Sequence, residues 1–334
     1  MAHQIDMSNA RANIAYVGEI PWHGLGNELT RGAAIEVWKK EAGMSHNVES
    51  APVMFEIPGA KKVPTSMSKF DNRRVLYRSD TKAPLSVVSD SYKVVQPGEI
   101  LEFFRDLVAV DSMQLETAGC LFGGTRYWAL ANTGREEDVI GNDRVKGMLL
   151  LTTSCDGTLA TTAKFTSVRV VCNNTLRISL HDEKEDESRP TIRVGHNSVF
   201  DPNKIKLALG LIDGGWNNFI TDIRQMAHTK MSDVAAKKFF ADIMLTKDQA
   251  EIFMKQEELH ARVQAKLDTM FAMYKGDGMG SQQVTGTLWG ALNTVTEYAD
   301  HRIGKLSDNM LWNSWFGFGE NLKNKAFDLA KEMA

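Results

Sequence analysis

The sequence predicts an α+β protein, with a β-rich N-terminal domain that includes packed helices, followed by a helical C-terminal region. Short runs rich in β-branched and aromatic residues, bounded by Gly, Pro, Asn and Asp, fill the part before residue 181. Apolar residues spaced by three and four dominate after residue 200. Between them lies HDEKEDESRP, whose composition is typical of a linker or mobile loop. We therefore predict domains at 1–180 and 201–334, joined by 181–200.

The N-terminal part contains a series of predicted strands that one helix interrupts. The strands are predicted at 52–57, 73–78, 84–89, 125–132 and 146–154. In the segment 97–110 apolar residues recur on one helical face, and Pro97 suits a first turn. A hairpin with an Asp156–Gly157 turn then leads through a strand to a predicted helix that begins around Asn173 and Asn174.

The C-terminal part is predicted to be helical. A helix capped by Asp201 carries an apolar stripe as far as Ile223. Thr246 and Gln249 form a capping box for one long helix that ends before Gly276. Further helices are predicted around 288–298 and in the tail 311–334.

The composition excludes several classes of protein. With 334 residues, 43% hydrophobic and 24% charged, the chain is typical of a globular protein of about two domains. Its 39 basic and 42 acidic residues exclude a uniformly basic coat, so a nucleic-acid site must be a local patch.

Three widely spaced cysteines exclude a disulfide framework. No signal peptide or membrane span is predicted, and we expect no membrane partner and a location in the cytoplasm of a host cell.

One segment is distinctly basic. Residues 60–94 contain eight Lys and Arg against three Asp. One interpretation is a solvated hairpin face; the other is a track for a phosphate backbone, with an affinity that falls steeply with salt. A later predicted strand adds a basic residue and an aromatic residue suited to base stacking. The candidate nucleic-acid ligands in these segments are Lys61, Lys62, Lys69, Arg73, Arg74, Arg78, Arg126 and Tyr127.

A second candidate binding site lies between residues 149 and 180. Lys164, Arg169, Asn173 and Asn174 gather where a predicted strand meets the N-terminus of the predicted helix. Helix N-termini bind phosphate, so we count these four residues among the candidate nucleic-acid ligands. The alternative is structural, with the asparagines as helix caps and Arg169 in an ion pair.

Signals for catalysis are weak. The sequence lacks HExxH, a His-x-Glu followed by PCxxC, and GxxxxGK[ST], so it supports neither a zinc enzyme nor a phosphate-loop enzyme. The glycine-rich runs at 21–26 and 276–280 are more typical of a turn and a hinge. We predict no catalytic residue, no metal and no cofactor. An enzyme with an unfamiliar site around Asp156, Arg169 and Asn173 stays an alternative.

Three runs resemble a known family. They are PWHGLG at 21–26, DGTLATTAKFTSVRVVCNNTL at 156–176, and GTLWGALNTVTEYADH at 286–301 followed by FGFGENLKNKAFDLA at 316–330. Together they resemble the phage/plasmid-like protein family, which is defined by domain of unknown function 932. The resemblance implies a gene of phages, plasmids and integrating elements, often near replication and recombination genes. It implies no catalytic mechanism.

This resemblance leads to a hypothesis about function. Mobile elements commonly encode proteins that anneal single-stranded DNA, and the predicted N-terminal elements are similar in order to those of Red-beta and RecT type annealing proteins. We therefore expect a phage- or plasmid-encoded protein that binds single-stranded DNA, anneals strands in recombination or replication, and forms homo-oligomers. Host or phage replication and recombination proteins are further expected partners. The alternatives are a non-enzymatic protein that blocks a host defence system, and an enzyme acting on nucleotides or nucleic acid.

Overall fold

A computed structural model describes most of the chain. The described residues are 4–8, 11–18, 20–21, 24–59, 65–110, 113–169, 174–177, 191–198, 201, 212–255, 259–303 and 310–334. The strands are β1 Ile14–Tyr16, β2 Asn27–Glu28, β3 Val48–Ile57, β4 Ser66–Arg78, β5 Pro84–Ser89, β6 Gln114–Leu121, β7 Arg126–Ile140, β8 Asp143–Ser154, β9 Thr161–Arg169, β10 Asn174–Arg177 and β11 Thr191–Val194. The α-helices are α1 Ile35–Glu41, α2 Pro97–Val110, α3 Ile212–His228, α4 Asp233–Met244, α5 Lys247–Met254, α6 Ala261–Ala272, α7 Leu288–Glu297, α8 Met310–Phe316 and α9 Phe318–Met333.

The strands form two sheets. The larger sheet has eight strands in the order β10-β9-β8-β7-β6-β1-β2, with β11 also paired to β9. The smaller sheet has the order β3-β4-β5, and both of its strand pairs are antiparallel. Most helices follow the strands along the chain. The predicted α+β class is confirmed.

The chain divides into two compact units. The first takes its residues from Met1–Gly134, Leu149–Lys164 and Thr191–Gly210. The second takes its residues from Arg135–Met148, Phe165–Pro190 and Leu211–Ala334. The predicted boundary at 180/181 falls outside the described residues, so the sequence-based division stays a prediction.

Local sequence accounts for the predicted elements of the first unit. Four of the five predicted strands fall within β3, β4, β5 and β8, and the fifth, 125–132, begins one residue before β7. The predicted helix coincides with α2, which begins at Pro97. Ile100, Phe103 and Phe104 on its apolar face are almost fully buried, because their spacing places them on one side of the helix. Glu99 accepts a hydrogen bond of 2.6 Å from the backbone N–H of Gln96 and so caps the helix start.

The second unit is built around a buried helix. Every residue of α7 is buried, which fits its mostly apolar and small side chains. Two of its polar side chains bond to the helix itself: Asn293 donates to the carbonyl of Trp289 at 2.8 Å, and Thr294 donates to that of Gly290 at 3.0 Å. A side chain at Gly290 would lie 2.2 Å from the carbonyl oxygen of Val284. Close backbone approach therefore requires glycine at this position.

The prediction of one long helix from Thr246 was wrong. The capping box of Thr246 and Gln249 is present, but α5 ends at Met254. A separate helix, α6, begins at Ala261 after His260, whose side chain accepts a hydrogen bond from the backbone N–H of Arg262. A capping residue has non-helical dihedral angles, so the helix is interrupted there.

Two further observations concern the described part of the chain. None of its helices is both long and apolar enough to cross a bilayer. The cap predicted at Asp201–Pro202 lies at the edge of a segment, 202–211, that is outside the described residues, and α3 is described from Ile212.

Candidate nucleic-acid interface

The hairpin of β3 and β4 extends beyond β5. Strand β5 pairs with residues 73–77 of β4, whereas residues 53–57 of β3 pair with 66–70 of β4. A shift in register after Pro52 separates this outer part from the inner sheet. Asn72, within the shift, has a left-handed φ of 63°. We call the outer segments, 53–57 and 66–70, the ribbon.

The ribbon exposes large apolar side chains. The exposed fractions lie between 44% and 60% for Met54, Phe55, Ile57, Met67 and Phe70. Phe55 lies opposite Ser68 and Phe70 opposite Val53, so both rings project from the same face. Met54 and Met67 belong to the opposite face, so both faces of the ribbon expose apolar side chains. A two-stranded ribbon is only marginally stable alone, and exposed apolar side chains that lie close together mark an interaction surface.

Two of the predicted ligands are exposed at this hairpin. Lys69 belongs to the ribbon, and Arg73 follows at the first residue that pairs with β5. The Nζ atom of Lys69 lies 3.9 Å from a carboxylate oxygen of Asp71, and both side chains are exposed, so this ion pair is weak. Lys61 and Lys62 precede β4 in the sequence and lie outside the described residues.

The other two arginines of β4 are directed into the first unit. Arg74 is half-buried and donates a hydrogen bond to the backbone carbonyl of Tyr92. Arg78 is fully buried and donates to the carboxylate of Asp6 at 2.6 Å and to that of Asp80 at 2.8 and 2.9 Å. Burial opposes its charge, but the hydrogen bonds to Asp80 and Asp6 raise the pKa of Arg78 above its ordinary value. Arg78 therefore balances the buried carboxylate of Asp6 and the partly exposed carboxylate of Asp80.

Arg126 is also held by neighbouring groups. Its guanidinium lies 4.3 Å from the centre of the Phe122 ring and donates to the hydroxyl of Thr158 at 3.0 Å. Its Nε atom lies 3.4 Å from the carboxylate of Asp156, and the side chain is 15% exposed. These contacts fix Arg126 over the turn that follows β8.

Tyr127, predicted as a stacking residue, lies in the core. Its hydroxyl is 2.8 Å from Nε2 of His46, and burial raises the pKa of the phenol. Trp128, which projects from the opposite face of β7, is buried as well. Both faces of the strand are thus covered here, and neither ring is accessible to a base in the described fold.

The residues of the second candidate site do not form a surface cluster. Lys164 is buried and belongs to the first unit, whereas Arg169 is buried in the second. Arg169 donates from Nε to the carboxylate of Asp143 at 2.6 Å and from Nη2 to the carbonyl of Gly280 at 3.0 Å. The indole N–H of Trp289 donates to the other oxygen of Asp143 at 2.8 Å. Arg169 thus belongs to an internal network.

The helix predicted around Asn173 and Asn174 was wrong. Asn173 lies outside the described residues, but Asn174 begins β10 and pairs with Arg169 in antiparallel register. The edge of β9 offers backbone hydrogen bonds to residues 174–177, and strand pairing satisfies them. A helix N-terminus therefore does not lie at these residues to bind a phosphate.

Comparison with known proteins identifies the family. A model of a domain of unknown function (DUF932) matches residues 84–312, more than half of the 334 residues. The chain belongs to the DUF932 family. Two of the runs that resemble the family, 156–176 and 286–301, lie inside the match, while 21–26 and 316–330 lie outside it. Comparisons with curated proteins and with solved structures found no match.

The DUF932 match contains an internal carboxylate that sequence analysis missed. Glu297, the last residue of α7, has a side chain only 3% exposed. One of its carboxylate oxygens accepts a hydrogen bond of 2.8 Å from the backbone N–H of Met279, and the other has no hydrogen-bond partner in the described part of the chain. Burial raises the pKa of Glu297. No local motif indicates this burial, because α7 and the loop around Met279 meet only in the folded chain.

Glu297 should make the stability of this DUF932 protein depend on pH. Its folded pKa lies above its ordinary 4.5, so its contribution to stability is complete below pH 4.5 and is lost as pH rises through the folded value. Glu297→Gln keeps an acceptor for Met279 and carries no charge, so it should reduce this pH dependence. Urea unfolding of both proteins between pH 4.5 and 8 measures the difference.

The exposed Glu56 supplies a matched control. Glu56→Gln should leave the pH dependence of unfolding as in the wild type. Parallel stability curves for the wild type and Glu297→Gln across this pH range would contradict the prediction.

Proposed function

We propose that the chain binds single-stranded DNA and anneals complementary strands, as a phage- or plasmid-encoded protein of recombination or replication in the cytoplasm of a host cell. The observation that carries this proposal is the hairpin of β3 and β4, where exposed basic and apolar side chains occur together. Phosphates require the first kind of group and unpaired bases favour the second.

Fewer of the predicted basic ligands are exposed than the sequence indicates. Of the predicted ligands, Lys69 and Arg73 are exposed, whereas Arg78, Tyr127, Lys164 and Arg169 are buried. We therefore assign phosphate contacts to Lys69 and Arg73. We also propose that the chain self-associates, because annealing requires several subunits along one strand. Contact with other replication or recombination proteins belongs to the same proposal.

A double variant tests the phosphate contacts. Lys69→Ala with Arg73→Ala should weaken binding to oligonucleotides of any sequence, since phosphate contacts carry no sequence information. Each lost contact on a single strand lowers the slope of log K against log salt by about 0.7, so the double variant should lower it by about 1.4. Fluorescence anisotropy with a labelled oligonucleotide at several salt concentrations measures both quantities.

A control with the same change of charge is Lys238→Ala with Lys266→Ala, two exposed lysines of the second unit. This variant should bind DNA with the affinity and salt slope of the wild type. Equal losses in the two double variants would show a general effect of net charge and reject the assigned contacts. Absence of salt-dependent binding by the wild type would reject the function itself.

A further inference from the structure

The ribbon has a feature that phosphate binding does not use. Phe55 and Phe70 project from the same face and are 44% and 52% exposed. Because Phe55 lies opposite Ser68, it is a diagonal neighbour of Phe70 across the strand pair. Diagonal neighbours lie within reach of each other when their side chains are aromatic. The two rings therefore present aromatic surface on one face of the ribbon.

We propose that Phe55 and Phe70 form a stacking site for unpaired bases, so that the ribbon selects single strands over duplex. This inference rests on the proposed function and names its ligand chemistry. Aromatic rings stack on every type of base because each base has a π face, whereas the bases of a duplex already stack on one another. Ser68 lies opposite Phe55 and two residues before Phe70 on the same face, and its hydroxyl can exchange hydrogen bonds with a base edge.

Charge favours a nucleic acid as the occupant of this face. Between residues 53 and 73 the sequence has four basic residues, Lys61, Lys62, Lys69 and Arg73, and two acidic residues, Glu56 and Asp71, although the whole chain has a net charge of −3. Arg73 lies on the same strand three residues after Phe70, whereas Lys69 pairs with Met54 and so projects from the opposite face of this two-stranded ribbon. A strand whose bases cover the rings and whose backbone follows the edge of the ribbon therefore brings its phosphates near both cations.

The test compares two faces of the same ribbon. Phe55→Ala with Phe70→Ala should weaken binding to a single-stranded oligonucleotide by roughly 10- to 100-fold for each ring that stacks. The salt slope should stay that of the wild type, since Lys69 and Arg73 remain. The matched control is Met54→Ala with Met67→Ala, which removes exposed apolar side chains from the opposite face and should bind normally.

Two further measurements separate stacking from other roles of the rings. Phe55→Tyr with Phe70→Tyr keeps the aromatic faces and should restore binding. An oligonucleotide with abasic sites in place of its bases should bind the wild type no more tightly than it binds the double alanine variant. Normal binding of intact oligonucleotides by the double alanine variant would overturn the inference.

The outcomes distinguish this inference from the proposed function. If Lys69 and Arg73 variants change the salt slope while the phenylalanine variants bind normally, DNA binding stands and the stacking site is wrong. If the double alanine variant instead loses self-association without DNA, as measured by sedimentation, the face binds a second copy of the chain and the stacking site is wrong.

Discussion

Replacement of Arg169 by alanine is expected to lower the free energy of unfolding by about 3–5 kcal/mol, the range for breaking a buried ion pair from one side. The side chains of Arg169 and Asp143 are 2% and 0% exposed, and the pair is 2.6 Å apart. Without Arg169, the Asp143 carboxylate keeps the N–H of Trp289 as a donor but loses its buried counter-ion. The carbonyl of Gly280 also loses a donor. Urea or thermal unfolding measures the loss.

The burial of the Arg169–Asp143 ion pair, and not the loss of a positive charge as such, should cause this loss of stability. Arg224 provides a matched control in the same unit, since its ion pair with Glu137 is nearly half exposed on both sides. Arg224→Ala should cost less than about 1 kcal/mol. Arg169→Lys should still destabilise, because an ammonium group cannot reproduce the forked contacts to Asp143 and Gly280.

Arg169→Ala also separates two explanations of this residue. A phosphate ligand at the surface predicts weaker DNA binding with little loss of stability. The buried pair predicts lower stability, with unchanged affinity measured at a temperature where the variant is folded. Normal stability combined with weaker binding would contradict the structural role.

Replacement of Arg78 by alanine is also expected to lower the free energy of unfolding by about 3–5 kcal/mol. The Arg78 side chain is 1% exposed and bridges Asp6, which is 4% exposed, and Asp80. Its removal leaves the carboxylate of Asp6 buried, with Asn13 and Ser8 as its remaining hydrogen-bond donors among the described residues. The energy of an unpaired buried charge should therefore appear as a lower free energy of unfolding.

The same strand provides the control for Arg78. Arg73→Ala removes an exposed arginine five residues earlier on β4 and should change stability little. Partial recovery of stability at low pH would support the explanation. Burial raises the pKa of Asp6 and hydrogen bonds from Asn13, Ser8 and Arg78 lower it, so without Arg78 the buried carboxylate is protonated more readily and loses its unpaired charge. Equal stability of the Arg73→Ala and Arg78→Ala proteins would contradict it.

Sequence analysis predicted the elements whose signals are local. The helix at Pro97–Val110 was predicted from apolar spacing and a proline in the first turn, and the strands at 73–78 and 84–89 from residue type and turn residues. The capping box at Thr246 was predicted because both partners lie within three residues. The end of that helix was not predicted, because apolar spacing continues on both sides of His260.

The candidate site was predicted less well because charge does not determine exposure. The ribbon was predicted only as part of two strands, and its exposed phenylalanines were missed. A signal was present: residues 53–57, VMFEI, do not alternate between apolar and polar as a half-buried strand does. Such a run equally suits a strand buried on both faces, so the sequence could not indicate that β5 ends before reaching it.

The sequence by itself determined the α+β class, most element positions and, through its motifs, membership of the DUF932 family. Only the tertiary structure decided which basic residues face solvent. Three arginines of β4 have similar local surroundings, yet Arg73 is exposed, Arg74 is half-buried and Arg78 is fully buried. The difference arises because Asp6, a partner of Arg78, lies 72 residues away in the sequence. Periodicity and caps act over a few residues, whereas burial and ion pairing depend on groups that only folding brings together.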